Sequence, residues 1–598
     1  METASAAIAA PPAESVNKAW LRALARTAAI DRAPERILAQ VVEEQAQQRP
    51  DAPALLSDEL GLTYAELARL ARRYGRWALA NGLGKGERVA LVAHNSPEYL
   101  AIWLGLGAVG AVVALVNSNL RGQALTHSLS AAAPCVILAA PELAEAASQA
   151  AAHLPEPPPV WRIGPDGELA EALAGLADHP LDAAERRGVT VRDPALLIYT
   201  SGTTGWPKAA WVSHRRVMSW SGWFAGLLDL SPEHRLYDCL PMHHSVGGVV
   251  ATGALLSAGG SVVLARKFSV GRFWDDVVRW DCNLFQYIGE LCRYLTNAPP
   301  SLAERRHRLQ IAFGNGLSEP VWRAFQERFA IPRIVEFYAA TEGNFSLFNL
   351  EGEPGAIGRI PSFMAHRFPA ALVAFDPETG APSRGADGRC RRCAPGEAGE
   401  AIGRISTAGG DPAHRFEGYT NAAETEKKIL RDVFEPGDAW LRTGDRMRQD
   451  RRGFFRFVER VGDTFRWKGE NVSTAEVAAA IEACPGIEAA AVYGVSVPHA
   501  DGRAGMAAIV AGAGFDPARL HVRLAQALPA YARPLFLRVM GALPVTETFK
   551  VAHARLAAEG FDPDQIADPL YVADPAAATY APLDAALYGR VAAGDVRF

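Results

Sequence analysis

The residues best suited to chemistry lie at 199–208, where the chain reads Tyr-Thr-Ser-Gly-Thr-Thr-Gly-Trp-Pro-Lys. An apolar run at 195–198 leads into this stretch, which offers backbone N–H groups, hydroxyls and one cation to phosphate oxygens. Because Trp206 and Pro207 stand before the lysine, it is not a Walker A loop. A polar surface turn is the alternative, since these residue types are common in turns. The candidate phosphate-binding residues are Thr200, Ser201, Gly202, Thr203, Thr204, Gly205 and Lys208.

This order of residues resembles the phosphate loop of adenylate-forming enzymes, the superfamily of acyl-CoA synthetases, luciferases and peptide-synthetase adenylation domains. A second stretch, 338–344, is similar to the superfamily block that packs adenine and holds Mg²⁺. An aromatic face can stack on adenine, and a carboxylate can bind Mg²⁺ through oxygen. The resemblance assigns Glu342 and Thr200 to the metal, and it assigns to ATP or AMP the residues Tyr338, Ala339, Thr341, Gly314, Asn315 and Gly316.

Further residues gain a role only from the resemblance. Asp445, in Arg-Thr-Gly-Asp, matches the aspartate that binds the ribose hydroxyls, and Arg460 follows it as a ribose-contacting arginine does in the superfamily. Gly462 and Asp463 stand where the interdomain hinge lies, although many members have Asp or Lys in place of the glycine. Lys550 matches the C-terminal catalytic lysine, whose ammonium stabilises charge that develops in the transition state.

Two neighbouring histidines follow Leu-Pro-Met at 240–242. His244 fits a family pattern in which a histidine lines the acyl channel, and it joins Lys550, Thr200 and Glu342 as a catalytic candidate. A shared metal ion is the alternative for His243 and His244. If the pair lies on a strand, the two side chains point to opposite faces, which disfavours a shared ion.

The elements that must position these residues are predicted from hydrophobic patterning. Helical stretches alternate with short β-branched runs, among them 87–92, 112–116, 135–138 and 261–264. This alternation predicts an α/β fold with parallel or mixed sheets covered on both faces, and the Gly/Pro/Arg-rich region 380–400 predicts a small β unit. Past residue 460, a helix at 475–484 and strands at 489–497 and 507–510 predict a smaller α/β domain, and the resemblance implies that this domain is mobile. The predicted division is 1–35, an extension with little patterning; 36–461, the adenylate-forming domain; and 462–598, the C-terminal domain.

Composition narrows the class of protein. The chain has 598 residues, of which 49% are hydrophobic and 21% charged, so it can bury a large core. Its 61 basic and 66 acidic residues nearly balance, which argues against a nucleic-acid binder. Seven cysteines, an odd number, suit a reducing cytosol. Cys390 and Cys393 form a lone CxxC, interpreted as reduced thiols in a loop, with zinc as the alternative.

One uncharged stretch, 99–116, is long enough to span a membrane. Ser96-Pro97-Glu98 begins a helix and Gly110 can end it, so a helix followed by a buried strand is the preferred interpretation. The N-terminus has no signal-peptide pattern. We therefore predict a cytoplasmic protein, with peripheral contact at the inner face of the membrane left open.

More specific stretches identify a branch of the superfamily. Together they resemble the fatty acid transport protein/very-long-chain acyl-CoA synthetase family, from about residue 36 onward. They are 103–106, 116–122, 418–421, 424–429, 465–473, 502–507 and 580–598.

That resemblance implies a fatty acid, ATP, Mg²⁺ and coenzyme A as substrates and cofactors. It implies an acyl-AMP intermediate, followed by a swing about Gly462 that brings the 466–473 loop to the active site for thioester formation. The candidate coenzyme A residues are Trp467, Lys468, Gly469 and Glu470. The candidates for an apolar acyl channel, with core packing as the alternative, are Trp220, Trp223, Phe224 and Val246.

Two other functions stay open. The first is an adenylating enzyme for another acid, such as a bile acid, carnitine or an amino acid, or for a carrier-protein acceptor. Amino-acid activation usually needs a buried carboxylate for the substrate ammonium, and none is obvious beside 244–247. The second is a membrane-associated fatty-acid binding or uptake protein with vestigial catalysis. Intact Lys208, Glu342, Asp445 and Lys550 argue against lost catalysis. Acyl chain length and oligomeric state are not indicated by the sequence.

Overall fold

The fold is described from a computed structural model. The structure describes residues 15–200, 207–376, 381–406, 415–461, 465–467, 470–498, 502–546, 551–574 and 576–596. The chain divides into two compact units. The first unit comprises Met1–Gly358 and Ile405–Ile429, and the second comprises Arg359–Arg404 and Leu430–Phe598. The mixed α/β class predicted from sequence is confirmed. The predicted boundary at 461/462 stays a prediction.

The first unit alternates strands with helices along the chain. Its helices are α1 (Val16–Thr27), α2 (Leu38–Gln48), α3 (Tyr64–Ala80), α4 (Pro97–Ala108), α5 (Gly122–Ala132), α6 (Pro141–Ala151), α7 (Glu168–Ala174), α8 (His214–Leu227), α9 (Thr252–Ala258), α10 (Val270–Arg279), α11 (Gly289–Asn297), α12 (Glu319–Phe329) and α13 (Ala422–Glu426). Its strands are β1 (Pro53–Leu56), β2 (Gly61–Thr63), β3 (Arg88–Val92), β4 (Val112–Val116), β5 (Val136–Ala139), β6 (Val160–Arg162), β7 (Pro194–Thr200), β8 (Lys208–Ser213), β9 (Arg235–Asp238), β10 (Ser261–Leu264), β11 (Leu284–Ile288), β12 (Ile311–Asn315), β13 (Arg333–Ala339) and β14 (Ser346–Asn349).

These strands form two sheets that carry the site. The larger has the order β14-β13-β12-β11-β9-β10-β1-β2, and the smaller has the order β6-β5-β3-β4-β7-β8. Both are parallel except at edge pairs such as β13–β14 and β7–β8. Their central strands are continuous buried apolar runs, as in Val112–Val116, because helices cover parallel sheets on both faces.

The second unit contains two further sheets and two hairpins. Its strands are β15 (Ala370–Val373), β16 (Phe375–Asp376), β17 (Ala381–Pro382), β18 (Ala398–Arg404), β19 (Ile429–Arg431), β20 (Ala439–Gln449), β21 (Phe455–Arg460), β22 (Phe465–Trp467), β23 (Glu470–Val472), β24 (Ile487–Val495), β25 (Ala504–Ala511), β26 (Phe536–Met540), β27 (Leu570–Asp574) and β28 (Thr579–Pro582). Its helices are α14 (Thr474–Glu482), α15 (Pro517–Ala527), α16 (His553–Glu559) and α17 (Ala585–Ala593).

One of these sheets joins β15, β18, β20, β19 and β21, and the other runs β24-β25-β26-β27-β28. Around 380–400, where the small β unit is predicted, the chain forms strand β17 of the β16–β17 hairpin and then enters β18 of the first sheet. In this region Cys390 is buried, Cys393 is partly exposed and both thiols are free. The strands and the helix predicted past residue 460 are confirmed as β24, β25 and α14.

The helix-then-strand prediction for 99–116 is also confirmed, as α4 and β4. Ser96 caps α4 by accepting a hydrogen bond from the Tyr99 N–H, and Pro97 occupies its first turn. In the part of the chain that the structure describes, no helix combines the length and apolar character needed to cross a bilayer.

The N-terminal residues differ from the prediction of an extension with little patterning. Residues 16–27 form α1, which packs along α8. Trp20 is 1% exposed, and its ring lies 5.7 Å from that of Trp223 and 5.6 Å from that of Phe348. Gly226 makes this close approach possible, because a Cβ there would lie 2.5 Å from the Ala23 Cα.

Candidate functional site

Strand pairing places the two ends of the predicted phosphate loop side by side. In the β7–β8 pair, Thr200 lies directly opposite Lys208. Residues 201–206 join these positions and lie outside the described residues, so Ser201, Gly202, Thr203, Thr204 and Gly205 stay predictions. Both described ends of the loop carry groups that can bind a phosphate, a hydroxyl and an ammonium.

Tyr419 links the two predicted Mg²⁺ ligands. Its hydroxyl donates to Glu342 Oε1 at 2.6 Å, and the Thr200 side chain lies close enough to the same phenol to lower its pKa. Burial and the neighbouring Glu342 carboxylate raise the pKa of Tyr419, so the phenol stays protonated and can donate. Three residues far apart in sequence therefore place their oxygen atoms around one point.

Lys208 is held at the same place by a carboxylate. Its ammonium forms an ion pair with Glu424 and lies 5.8 Å from the centre of the Tyr419 ring. The Lys208 and Lys427 ammonium groups lower the pKa of Glu424 to about 2, so this carboxylate is ionised at neutral pH. A phosphate that binds Lys208 must compete with Glu424.

Arg216 fixes the block that contains Glu342. Its guanidinium donates to the Thr341 carbonyl oxygen at 2.7 Å and to the Arg415 carbonyl oxygen at 3.1 Å. The Thr341 hydroxyl also lies 2.9 Å from the Ser245 hydroxyl. Sequence reasoning missed Arg216 and gave Tyr419 no role. The only sequence signal for Tyr419 was its place in the family-specific stretch 418–421. The only signal for Arg216 was that it is an arginine in a helix rich in aromatic residues.

The two histidines are not on a strand, so the expectation that they point to opposite faces is wrong. His243 and His244 lie in a turn after β9, with ring centres 4.4 Å apart. A π-helical turn follows at Val246–Ala251 and runs into α9. Gly248 allows this turn to form, since a Cβ there would lie 1.8 Å from the Met242 carbonyl oxygen. Such wide turns occur frequently at functional sites.

The predicted glycine-rich turn follows the end of β12. Gly314 and Asn315 are its last two strand residues, and Gly316 has φ +82°, a conformation that favours glycine. The Asn315 Oδ1 atom is buried and has no hydrogen-bond partner among the described residues. A buried amide oxygen in this state suits a ligand that brings its own N–H donor.

Tyr338 and Ala339 end the neighbouring strand β13. Tyr338 is partly exposed and its ring packs edge-on against Phe345 at 5.5 Å, while Ala339 is exposed. An aromatic face that is partly open next to an exposed small residue leaves room for a flat ring to stack.

The acyl-channel candidates divide into two groups. Phe224 is 4% exposed and packs on Phe337 at 4.8 Å between ring centres, and Trp223 packs on Trp20 and Phe348. Trp220 and Val246 are partly exposed, and the Arg216 guanidinium lies 6.0 Å from the centre of the Trp220 ring. Core packing therefore accounts for Phe224, whereas Trp220, Trp223 and Val246 are all partly exposed and keep surface available to a ligand.

In the second unit, two predicted ribose-binding residues lie opposite each other. Asp445 on β20 is in register with Arg460 on β21, and the guanidinium Nε lies 3.1 Å from Asp445 Oδ1. The arginine holds the carboxylate in place while its second oxygen can accept a hydrogen bond. Pairing of the two strands explains the fifteen-residue spacing between these positions.

The remaining predicted residues are described only in part. Trp467 ends β22 and is 3% exposed within the hydrophobic core of the second unit. Glu470 begins β23, with its side chain outside the description. Lys468, Gly469, Gly462, Asp463 and Lys550 all lie outside the described residues. Their assignments stay predictions.

The oxygen groups around Tyr419 fit Mg²⁺. Glu342 supplies a carboxylate and Thr200 a hydroxyl, which are the hard oxygen ligands that Mg²⁺ prefers. Among the described residues, no group of three or more His, Cys, Asp or Glu side chains could hold a metal ion. Mg²⁺ usually takes one or two protein ligands and completes its shell with phosphates and water, so one carboxylate and one hydroxyl fit it.

Two family models match the chain. The AMP-binding enzyme model matches residues 42–400, and the model of the AMP-binding enzyme C-terminal domain matches residues 476–550. The long-chain fatty acid transport protein 1 of Mus musculus is 39% identical over 567 residues, which are 93% of this chain and 87% of the mouse protein. The long-chain fatty acid transport protein 3 of Homo sapiens is 40% identical over 531 residues, 86% of this chain and 76% of the human protein.

Solved structures of similar fold have ligands at their sites. ATP-bound MatB from Rhodopseudomonas palustris has a TM-score of 0.72 at 25% identity, over 87% of this chain and 98% of that one. The anthranilate CoA ligase AuaEII, in complex with anthranoyl-AMP, has a TM-score of 0.73 at 20% identity, over 88% of this chain and 97% of the ligase. The latter similarity concerns the fold alone.

Proposed function

We propose a function from one premise: this chain belongs to the AMP-binding enzyme family and, within it, to the family of the long-chain fatty acid transport proteins. The function is that of an AMP-forming acid–thiol ligase. It converts a long- or very-long-chain fatty acid, ATP and coenzyme A into acyl-CoA, AMP and pyrophosphate.

One observation supports this proposal above the others. Glu342 accepts a hydrogen bond from the Tyr419 hydroxyl, the Thr200 side chain lies near that hydroxyl, and the Lys208 ammonium lies over the ring of the same tyrosine. Two oxygen ligands and a cation at one point are what a magnesium-bound polyphosphate requires. The alternative of a polar surface turn does not explain why three distant segments converge there.

In the first half-reaction, a fatty carboxylate oxygen attacks the α-phosphorus of ATP and pyrophosphate leaves. Lys208 and the 200–205 loop bind phosphate oxygens, and Tyr338 and Asn315 receive the adenine. Asp445, oriented by Arg460, accepts the ribose hydroxyls. A Mg²⁺ ion bound by Glu342 and Thr200 would neutralise charge on the phosphates. Lys550 stabilises the charge that develops at the reacting carboxylate and α-phosphate.

In the second half-reaction, the thiol of coenzyme A attacks the acyl carbon of acyl-AMP, and AMP leaves with its phosphate oxygen. Groups that serve adenylation obstruct this step if they stay in place, so the region after Gly462 must rearrange. The 466–473 segment then binds coenzyme A. Because Trp467 is buried in the core, we assign its contribution to the backbone and to holding the β22–β23 hairpin.

A fatty acid as the acid substrate is supported by the names of the two transport proteins and by the partly exposed Trp220, whose ring lies near Arg216, the residue that bonds to Thr341. Trp220 and Val246 line the entrance to the acyl channel in this proposal, next to His244. The lack of an evident carboxylate for a substrate ammonium argues against an amino acid.

The test is a panel of fatty acids of increasing chain length, with bile acids, carnitine and amino acids as competitors. The purified protein is supplied with ATP and Mg²⁺, and pyrophosphate release and acyl-AMP are measured with and without coenzyme A. We expect acyl-AMP without coenzyme A and acyl-CoA with it, for long-chain acids. If no acid yields pyrophosphate or acyl-AMP, the proposed function is wrong.

The relatives' names support a second role, fatty-acid uptake. Thioester formation and uptake are compatible, because the thioester traps the acid inside the cell. This role requires contact with the inner face of the membrane. Co-sedimentation with anionic vesicles tests that contact, and ATP-independent retention of fatty acid by a Lys550→Ala variant would favour binding without catalysis.

A further inference from the structure

Three neighbouring parallel strands of the larger sheet bring Tyr287, Gly314 and Glu336 into one row. In the β11–β12 pair Tyr287 lies opposite Gly314, and in the β12–β13 pair Gly314 lies opposite Glu336. Residues in register on adjacent strands project from the same face of a sheet. Because Gly314 has no side chain, the two outer side chains can meet across the middle strand. A Cβ at Gly314 would lie 2.6 Å from the Tyr287 ring and 2.0 Å from its carbonyl oxygen.

The carboxyl group of Glu336 uses this opening to bond on two sides. The Tyr287 hydroxyl lies 2.6 Å from Oε2. On the other side, Oε1 accepts from the Gly316 N–H at 2.5 Å and from the Leu317 N–H at 3.2 Å. Glu336 is 5% exposed, so water does not replace these bonds easily.

We propose that Glu336 is a positioning residue for the nucleotide, because it holds the turn at Gly316 and Leu317 through two backbone N–H groups. The inference rests on the proposed function, in which Asn315 and this turn receive the adenine. Glu336 itself does not need to touch the ligand. Its bonds fix the backbone on the C-terminal side of Asn315, whose buried amide oxygen has no partner among the described residues.

The surroundings of Glu336 suit a neutral acid. The titratable groups that face it are the phenol of Tyr287 on β11 and the thiol of Cys292 on α11. Burial raises the pKa of Glu336 to about 8, although the bonds from Tyr287, Leu317 and Gly316 oppose this. A neutral acid satisfies every partner. Its O–H donates to Tyr287, whose hydroxyl can donate to the Val335 carbonyl oxygen at 3.2 Å, while Oε1 still accepts both N–H groups.

The test compares Glu336→Gln with Glu336→Leu in the full chain. Glutamine keeps an oxygen for the two N–H groups and an N–H for Tyr287, whereas leucine keeps only the volume. We expect Glu336→Leu to raise the KM for ATP about tenfold or more and to leave the KM for the fatty acid within about twofold, with Glu336→Gln close to the wild type in both. Glu304→Gln is the matched control, since Glu304 is another buried carboxyl group, paired with Arg328.

A pH arm keeps the inference testable if the leucine variant does not fold. The wild-type KM for ATP should rise as the pH rises through about 8, because ionisation would leave a buried charge beside the turn, and that of Glu336→Gln should not change. An equal pH dependence in both proteins, or an unchanged KM for ATP in a folded Glu336→Leu variant, overturns the role of Glu336. If the wild type itself makes no acyl-AMP, the proposed function fails instead.

Discussion

At the scale of single residues, the site depends on one phenol. The Tyr419 hydroxyl bonds to Glu342 from one segment and lies near the Thr200 side chain from another, and burial keeps it protonated. A carboxylate that already accepts one hydrogen bond keeps its second oxygen for a metal ion. We therefore expect the loss of Glu342 to change the Mg²⁺ requirement of the reaction.

We predict that Glu342→Ala raises the Mg²⁺ concentration needed for half-maximal pyrophosphate release about tenfold or more, because the metal loses its carboxylate. The measurement is a magnesium titration at saturating ATP. Glu319→Ala is the control, since Glu319 is an exposed residue paired with Arg323. An unchanged titration in Glu342→Ala would remove Glu342 from the metal site.

The ion pair between Lys208 and Glu424 makes a different prediction. In the proposed site a phosphate competes with Glu424 for Lys208, so Glu424→Gln should free the ammonium and lower the KM for ATP about threefold. The control is Glu397→Gln, whose carboxylate pKa is likewise lowered to about 2, in that case by the Arg391 hydrogen bond. A higher KM for ATP in Glu424→Gln would instead mean that Glu424 orients Lys208 for binding.

The sequence predicted the site residues that stand in short motifs, but it did not predict the residues that hold them in place. Thr200, Lys208 and Glu342 stand in motifs whose order carries information. Arg216 and Tyr419 act through contacts that span 125 and 77 residues, to Thr341 and Glu342 respectively, and no local pattern encodes such a pair. Asp445 and Arg460 were identified only through the resemblance, and the pairing of their strands explains why they lie together.

At the scale of elements, the parallel-sheet strands were predictable because both faces are buried. Continuous apolar runs such as β4 and β10 have no other stable placement. The π-helical turn after His244 was not predictable from the sequence. It depends on the close approach of Gly248 to the Met242 carbonyl oxygen, and no hydrophobic periodicity in the sequence marks that contact. Helix α1 was missed because its apolar stripe is narrow, with Ala19, Trp20 and Ala23 buried.

Helix α1 contributes to stability mainly through one aromatic side chain. Trp20→Ala should destabilise the protein by about 3–5 kcal/mol, because the cavity between Trp223 and Phe348 cannot close fully. Leu21→Ala, at a position 55% exposed, should change stability by no more than about 0.5 kcal/mol. Urea unfolding monitored by circular dichroism measures both. Equal effects of the two substitutions would show that α1 does not pack as described.

At the scale of the whole molecule, the two half-reactions of the proposed function share one active site. We predict that Lys550→Ala slows acyl-AMP formation about a hundredfold or more, yet keeps most of the rate of thioester formation from supplied acyl-AMP, because the lysine serves only the first step. Rapid-quench assays of each half-reaction measure the two rates separately. Equal loss in both half-reactions would contradict the role assigned to Lys550.

The α/β class and the sheets of both units followed from patterning, whereas the grouping of the chain into units did not. Residues 359–404 form strands with 439–460 and belong to the second unit, a long-range pairing that composition does not reveal. The boundary at 461/462 was placed by resemblance and stays a prediction.

The packing of Trp20 has a practical consequence for protein production. The AMP-binding model begins at residue 42, which invites an expression fragment trimmed to that boundary. Such a fragment would lack Trp20, so the rings of Trp223 and Phe348 would be exposed to solvent and would promote self-association. A purification tag placed ahead of residue 15 avoids that exposure.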